Sequence, residues 1–344
     1  MGVGMQGKRA ALARVVRTFR LDTAKRAVER RFGANKLTVI AYHRVNDPGA
    51  ADRFDEGTLD VFPERFGEQV RLLKQEYTLV DPVDVRACLR GKPWPRRPAM
   101  ITFDDGYRDN YERALPILEN HGAKALFFIA THYIDHRNVY WWDRISYTLK
   151  HATKTTFTIE YPTTLAIDVG SDRSRAESAL HSLVKTTFDL DLSRFLEELT
   201  TAAGVAWSDA LERELADELV MTWDHVRALR DAGMRIGSHT RTHRVLGTIK
   251  EDQLRAELSG SRSDLEDALG EEVWSIAYPV GYPVVGDRRI RAALREAGYE
   301  IGFTYNTGAQ DLRSLDPFDV SRSGVDVSWD LGRFSAVVEF PALA

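Results

Sequence analysis

The 344-residue sequence predicts an α/β fold on a parallel sheet, arranged either as a barrel or as an open sheet. From residue 37 onward, short β-rich apolar runs alternate with segments of helical periodicity. The apolar runs are near-continuous, which is typical of parallel strands covered by helices. Three of the helical segments also stop at glycine, namely at Gly122, Gly233 and Gly298, which is the usual chemistry of a helix end.

The composition is that of a globular protein, with 43% hydrophobic and 28% charged residues. One cysteine, Cys88, excludes an internal disulfide framework. No run reaches the roughly 18 apolar residues of a membrane span, and the N-terminus lacks the pattern of a secretory signal. We therefore expect a cytoplasmic protein, with membrane association left open by the segment described next.

Residues 1–36 form a basic segment with ten Lys or Arg and two acidic residues. Its net charge of +8 leaves −12 on residues 37–344, because the whole chain carries −4. Apolar residues recur in it at near-helical spacing, which predicts a basic helix. That helix would either make peripheral contact with an anionic membrane or pack on the domain as a terminal helix. No interleaved aromatic residues accompany the basic ones, so no nucleic-acid partner is expected.

The elements of the predicted domain follow in order along residues 37–344. The predicted strands cover residues 37–42, 99–103, 125–129, 234–237, 274–278 and 301–305. The predicted helices cover residues 63–77, 110–121, 223–232, 250–269 and 288–297. Residues 144–218 break the alternation, with a strand-like piece at 155–161 and helices near 173–188 and 192–203. We interpret this stretch as a mainly helical insertion, either a lid over a site or a surface subdomain.

Two adjacent carboxylates, Asp104 and Asp105, follow the apolar run at 99–103 and precede Gly106. This position matters because reactive residues of parallel α/β folds lie at the carboxyl ends of the strands. A glycosidase is not favoured, because its two carboxylates must flank the scissile bond at roughly 5–9 Å. Consecutive residues on one strand are poorly placed to provide that separation.

Two histidines, His239 and His243, follow the strand predicted at 234–237, at a spacing that would place both on one face of a helix. Two imidazoles and one carboxylate form the ligand set of a hydrolytic metal site, with open positions for water and a substrate oxygen. The other carboxylate of the adjacent pair would then act as the base. These ligands suit Zn, Co, Ni or Fe(II) almost equally.

Three segments carry a family resemblance: residues 102–106 (TFDDG), 238–243 (SHTRTH) and 278–281 (YPVG). They resemble the first three motifs of the polysaccharide deacetylases of carbohydrate esterase family 4, metal-dependent N-acetyl hydrolases. The similarity implies a distorted (β/α)7-type barrel over residues 37–344, with the insertion at about 144–218 as extra sequence. It also implies a divalent metal, zinc in the first place, and a carbohydrate substrate.

The resemblance also assigns roles to individual residues. Asp104 corresponds to the catalytic base, and Asp105, His239 and His243 correspond to the metal ligands. The backbone at Val280 would help to hold the oxyanion, although family members usually carry Tyr at this position.

Two further positions depart from the family pattern. The arginine that often begins the third motif, and that pairs with the catalytic Asp, is replaced by Ala277; Arg322 is a candidate substitute. No histidine follows His243, so the usual C-terminal general acid is missing. His43, after the first strand, is the candidate acid, as in the poly-N-acetylglucosamine deacetylases, whose permuted motif order this chain also resembles. Its alternative role is that of a structural histidine at the barrel rim.

The remaining candidates concern the substrate. Trp141 and Trp142 would offer either an aromatic platform for a sugar ring or core anchors for the insertion. Trp142, Tyr278 and Arg322 are taken as substrate-binding candidates. The other histidines belong to no spacing pattern and are interpreted as surface or capping residues: His121, His132, His136, His151, His181 and His225.

The expected function is hydrolytic removal of N-acetyl groups from amino sugars of a polysaccharide or glycolipid precursor. Two alternatives stay open. One is a hydrolase of the same fold that acts on an O-acetyl ester or a small cyclic amide. The other is an inactive glycan-binding relative, favoured by Ala277 and by the missing C-terminal histidine.

Overall fold

A computed structural model describes residues 12, 25, 36–47, 49, 53–282, 284–306 and 310–341. The predicted basic helix over residues 1–36 lies outside the described residues, apart from Leu12, Lys25 and Lys36. None of the helices in the described part of the chain combines the length and the apolar character needed to cross a bilayer.

The six strands predicted from apolar runs all form, with bounds shifted by a few residues. Six of the seven residues of β1 are buried, and all six residues of β5 are buried, so both strands are covered on two faces. The thirteen strands of the described residues are β1 (Lys36–Tyr42), β2 (Arg44–Val45), β3 (Leu59–Val61), β4 (Thr78–Leu79), β5 (Pro98–Phe103), β6 (Leu126–Ile129), β7 (Thr156–Ile159), β8 (Leu165–Asp168), β9 (Arg235–Ser238), β10 (Ser275–Ala277), β11 (Ile301–Phe303), β12 (Gln310–Asp311) and β13 (Ser323–Gly324).

The main sheet runs in the order β11-β10-β9-β6-β5-β1, and every neighbouring pair in it is parallel. Strand β13 pairs in parallel with β1. Val320, just before β13, forms a parallel bridge with Phe303 of β11. The segment from residue 320 to 324 therefore joins the two edges of the sheet and closes a ring of seven parallel strands. This distorted (β/α)7-type barrel confirms the predicted fold class.

Helices pack around the strands, and polar side chains cap many of them. Asp81, for example, caps the helix Pro82–Leu89 in a capping box with Asp84. The α-helices of the described residues are α1 (Pro63–Glu76), α2 (Pro82–Leu89), α3 (Leu115–Asn120), α4 (Thr131–His136), α5 (Trp141–Lys150), α6 (Arg173–Thr186), α7 (Leu192–Ala203), α8 (Asp209–Leu219), α9 (Trp223–Asp231), α10 (Glu251–Leu269), α11 (Arg288–Glu296) and α12 (Leu331–Glu339).

The structure also has elements that periodicity did not predict, and three departures concern the predicted segments themselves. The predicted helix at 110–121 begins with a π-helical turn, Asn110–Ala114, before it continues as α3. In the region of the predicted insertion, β7 pairs with a strand that periodicity missed, β8, in an antiparallel hairpin. Helix α5 crosses the predicted start of the insertion at residue 144, because its buried face, which includes Trp141 and Ile145, is continuous with the main core.

Candidate active site

A cavity of about 350 Å³ opens at the carboxyl ends of the barrel strands. Most of the residues singled out by sequence line it: His43, Asp104, Asp105, Trp142, His239, His243 and Val280. The convergence has a topological cause, because parallel strands end at one face of the barrel and their following loops meet there.

A tight turn separates the two neighbouring carboxylates. Asp105 has φ +74°, and the Gly106 N–H donates to the Asp104 carbonyl at 3.0 Å, so three residues close the turn. Such a turn is rare and strained for a non-glycine residue. The Asp105 carbonyl holds the turn by accepting hydrogen bonds from the Ala130 N–H and the Tyr140 hydroxyl, both at 3.1 Å. The two side chains can therefore serve different partners.

Three side chains converge on one point of the cavity. Asp105 Oδ1 lies 3.5 Å from His239 Nε2 and 3.5 Å from His243 Nε2. The same oxygen is buried and has no hydrogen-bond partner among the described residues. His239 Nδ1 lies 2.9 Å from the Ala277 carbonyl, which leaves Nε2 with the free lone pair. This donor set fits a divalent cation.

Electrostatics in the absence of a cation are consistent with that fit. Burial raises the pKa of Asp105 to about 8, and the adjacent charge of Asp104 adds to the effect. Burial lowers the pKa of His239 to about 4 and that of His243 well below its usual value. Both imidazoles are therefore neutral near pH 7, the state in which they can bind a metal.

The two histidines lie on a loop, and the expectation that they share a helical face is wrong. Thr240 and His243 have φ +64° and +55°, which an α-helix does not allow. The buried carboxylate of Glu257 holds the loop by accepting hydrogen bonds from the backbone N–H groups of Arg241 and Thr242 at 2.8 and 2.9 Å. A loop held by Glu257, and not a helix, therefore brings the two rings together, with their centroids 4.7 Å apart.

The other carboxylate, Asp104, is paired with Arg322. Two parallel hydrogen bonds join them, from Nη1 to Oδ1 at 2.6 Å and from Nη2 to Oδ2 at 2.7 Å, and both side chains are buried. Burial alone would raise the pKa of Asp104, but the guanidinium outweighs it and holds that pKa well below its usual range. Arg322 lies in the segment that closes the barrel between β11 and β1, which explains how it reaches across the ring.

His43 lies beside a carboxylate that sequence reasoning missed. Its Nδ1 is 3.2 Å from Oδ2 of Asp60, which also accepts the His43 backbone N–H. Burial disfavours the imidazolium, yet Asp60 outweighs it and raises the pKa of His43 to about 10. Asp60 lies between two apolar residues on the short strand β3, and no motif around it indicated a catalytic role.

The third motif lines the cavity through Val280 and Gly281. Val280 is 43% exposed and has φ +60°, a strained conformation for a β-branched residue. The next residue, Gly281, has φ +62°, and a Cβ there would lie 1.9 Å from the Tyr305 Cβ. Glycine is therefore required at 281, and Tyr305 becomes a further wall of the cavity.

Trp141 and Trp142 both line the cavity, and both also pack in the hydrophobic core. The Trp142 ring lies 4.5 Å from the His243 ring, and its Nε1 donates to the Tyr107 hydroxyl at 2.6 Å. Tyr107 in turn donates to the buried carboxylate of Asp143 at 2.8 Å. Trp142 is thus held against a candidate metal ligand, with only its ring available to a substrate.

Two expectations about individual residues need correction. Tyr278 was expected at the substrate, but its side chain lies in the core among Leu246, Ile290 and Phe318, and its hydroxyl donates to the Phe318 carbonyl. His181 was expected at the surface or at a helix cap, but it lines the cavity from helix α6. Alternation on a short strand does not reveal which face meets the cavity, and an isolated histidine carries no spacing signal.

The sequence profile of the polysaccharide deacetylase family matches residues 91–302, more than half of the chain. The chain belongs to the polysaccharide deacetylase family. It is accordingly a carbohydrate deacetylase, a hydrolase. YxkH of Bacillus subtilis strain 168 is 20% identical over 306 residues, which span 88% of this chain and 76% of YxkH.

A second relative matches over a shorter stretch. The poly-β-1,6-N-acetyl-D-glucosamine N-deacetylase of Escherichia coli K12 is 36% identical over 87 residues, which span 25% of this chain and 12% of that protein. Two solved structures share the fold of this deacetylase at 18% identity and a TM-score of 0.54. The deacetylase PplD of Streptococcus pyogenes covers 85% of this chain and 93% of its own, and IcaB of Ammonifex degensii covers 89% and 98%.

Proposed function

We propose that this deacetylase hydrolyses N-acetyl groups of amino sugars in a polysaccharide or glycolipid precursor, with a divalent metal as its cofactor. The observation that carries the proposal is the convergence of Asp105, His239 and His243 beside the Asp104–Arg322 pair in one cavity. The E. coli relative's name supports an N-acetylglucosamine polymer as the substrate class.

Asp105, His239 and His243 would hold the metal. A bound divalent cation supplies a Lewis acid for the amide carbonyl and lowers the pKa of water. Zinc is the first expectation, and the ligand types also suit Co, Ni or Fe(II). The buried and unpartnered Oδ1 of Asp105 supports the assignment, because a buried carboxylate oxygen without a donor is costly.

The protein's own groups would complete the reaction. Asp104 is kept ionised by Arg322 and accepts a proton from the attacking water, while the water oxygen bonds to the acetyl carbon. The Val280 N–H donates to the developing oxyanion. His43 protonates the amide nitrogen as the C–N bond breaks, which yields acetate and the free amine.

We expect His43→Gln to lower kcat by roughly 10²- to 10⁴-fold, the usual contribution of a general acid, while the metal content stays unchanged.

Asp60→Asn tests the same assignment through the pKa of His43. Because Asp60 raises the pKa of His43, its loss should move the basic limb of the pH–rate profile to lower pH. Rate profiles and metal analysis of both variants check this, and full turnover in His43→Gln would remove His43 from the mechanism.

The function itself is tested by acetate release from N-acetylglucosamine oligomers, before and after chelation, with readdition of zinc or cobalt. We expect release to disappear with the chelator and to return with metal. A parallel panel of O-acetylated sugars and small cyclic amides separates the alternative substrates. Saccharide binding without acetate release under all metal conditions would contradict the proposal.

A further inference from the structure

A second cluster of metal-type side chains lies beside the same cavity, away from Asp105, and two of its members, Asp55 and His181, line the cavity. Asp55, Glu177 and His181 each offer one ligand atom, and these atoms lie within 4.8 Å of one another. Glu177 and His181 are one turn apart on α6, whereas Asp55 belongs to the loop that leads to β3. The cluster therefore connects the region of the predicted insertion with the barrel.

His181 has a ring nitrogen that no protein group satisfies. Its Nε2 is buried and has no hydrogen-bond partner among the described residues. A neutral imidazole can bind a metal ion through a ring nitrogen of this kind. A buried polar atom without a partner is costly, so its position beside two carboxylates points to a ligand.

Hydrogen bonds from neutral donors orient the carboxylates of the cluster. Ser146 Oγ donates to Glu177 Oε1, and the Gly57 N–H donates to Asp55 Oδ1 at 2.8 Å. No ion pair or hydrogen bond joins Asp55, Glu177 and His181 directly within the described part of the chain. Two carboxylates held this close together repel each other, and a bound cation would relieve that repulsion.

We propose that Asp55, Glu177 and His181 form a second divalent-cation site, distinct from the one at Asp105. Two carboxylates and one imidazole suit a borderline ion such as Zn, Co or Mn. Trp141 separates the two sites, with its ring 5.5 Å from His181 and 6.5 Å from His243. A cation there would fasten α6 to the barrel loop at the cavity wall. The inference does not depend on the proposed catalytic roles.

Lys185 allows a test in which a substitution should strengthen cation binding at this site. It lies one turn after His181 on α6, lines the cavity and interacts electrostatically with Asp55. Its ammonium group would compete with a metal ion for the same carboxylate. Lys185→Met should therefore tighten cation binding at the second site, whereas a purely structural cluster has no reason to bind more metal after this change.

The experiment is equilibrium dialysis of the untagged, metal-free protein against Co²⁺, with metal analysis and visible absorption. We expect two equivalents in the wild type, one in His181→Ala, one in Glu177→Gln and one in Asp105→Asn. His132→Ala is the matched control, because His132 and His136 form another i, i+4 pair, with rings 4.1 Å apart. That variant should keep two equivalents.

Hydrogen exchange provides a second measurement. The second equivalent of Co²⁺ should slow exchange in residues 173–186 of the wild type but not of His181→Ala. A single equivalent in the wild type that both His181→Ala and Glu177→Gln retain, or two equivalents in both of these variants, would overturn the proposal. A single equivalent that both variants lose would instead place the failure at the Asp105 site. Should His181→Ala fail to fold, Glu177→Gln and Lys185→Met decide the question, since both keep the size of the side chain.

Discussion

Asp104→Asn and Asp105→Asn are expected to abolish turnover for different reasons, although the two residues are neighbours. Asp104→Asn should keep the metal and lose roughly 10²- to 10⁴-fold in kcat, the usual contribution of a catalytic base. Asp105→Asn should lose the metal as well, because Oδ1 of Asp105 lies 3.5 Å from both histidine nitrogens. Metal analysis beside steady-state kinetics separates the two outcomes.

Stability of the metal-free protein provides an independent readout for Asp105. Its carboxyl pKa is raised to about 8 by burial. The folded state therefore binds more protons than the unfolded state from about pH 4 to pH 8, and stability falls as the pH rises through that window. Asp105→Asn removes this cost, so the metal-free variant should unfold at higher denaturant concentration than metal-free wild type at pH 8. Equal metal content in both Asn variants would contradict the division of roles.

Arg322→Met is expected to destabilise the protein and to change its pH profile. Removing one partner of a buried ion pair costs about 3–5 kcal/mol, because the other charge remains buried. Burial raises the pKa of Asp104 and the guanidinium lowers it, so the pKa rises when the guanidinium is removed. The base must be ionised, so the acidic limb of the profile should move to higher pH. Denaturant unfolding and pH–rate profiles measure the two effects.

Arg322→Lys is the control that keeps the positive charge beside Asp104 but loses the paired hydrogen bonds. A lysine restores a positive charge but not the two parallel hydrogen bonds, which join Nη1 and Nη2 to the two oxygens of Asp104. We expect a smaller shift of the acidic limb than in Arg322→Met, with turnover still reduced. If Arg322→Met kept the wild-type limb and rate, Arg322 would have no part in setting the ionisation of Asp104.

The sequence was most informative where the chemistry is local. The apolar runs that became β1 and β5 predicted buried parallel strands, and the barrel confirms that class. Asp104 and Asp105 directly follow such a run, so the end of the strand could be located without coordinates. The histidine spacing correctly predicted that the two rings lie close together, but it predicted the wrong element. A loop carries them, and Glu257 of helix α10 holds that loop from 16 positions further along the chain.

Sequence by itself thus determined the fold class, the family and the residues with ligand-type side chains, because these depend on periodicity and on short motifs. Tertiary structure alone decided that Arg322 meets Asp104 across 218 positions of the chain, and that Asp60 accompanies His43. It also placed His181 at the cavity and Tyr278 in the core. The physical reason is that closing the barrel brings β11, the 320–324 segment and β1 side by side, and no pattern along the chain records which side chains then face each other.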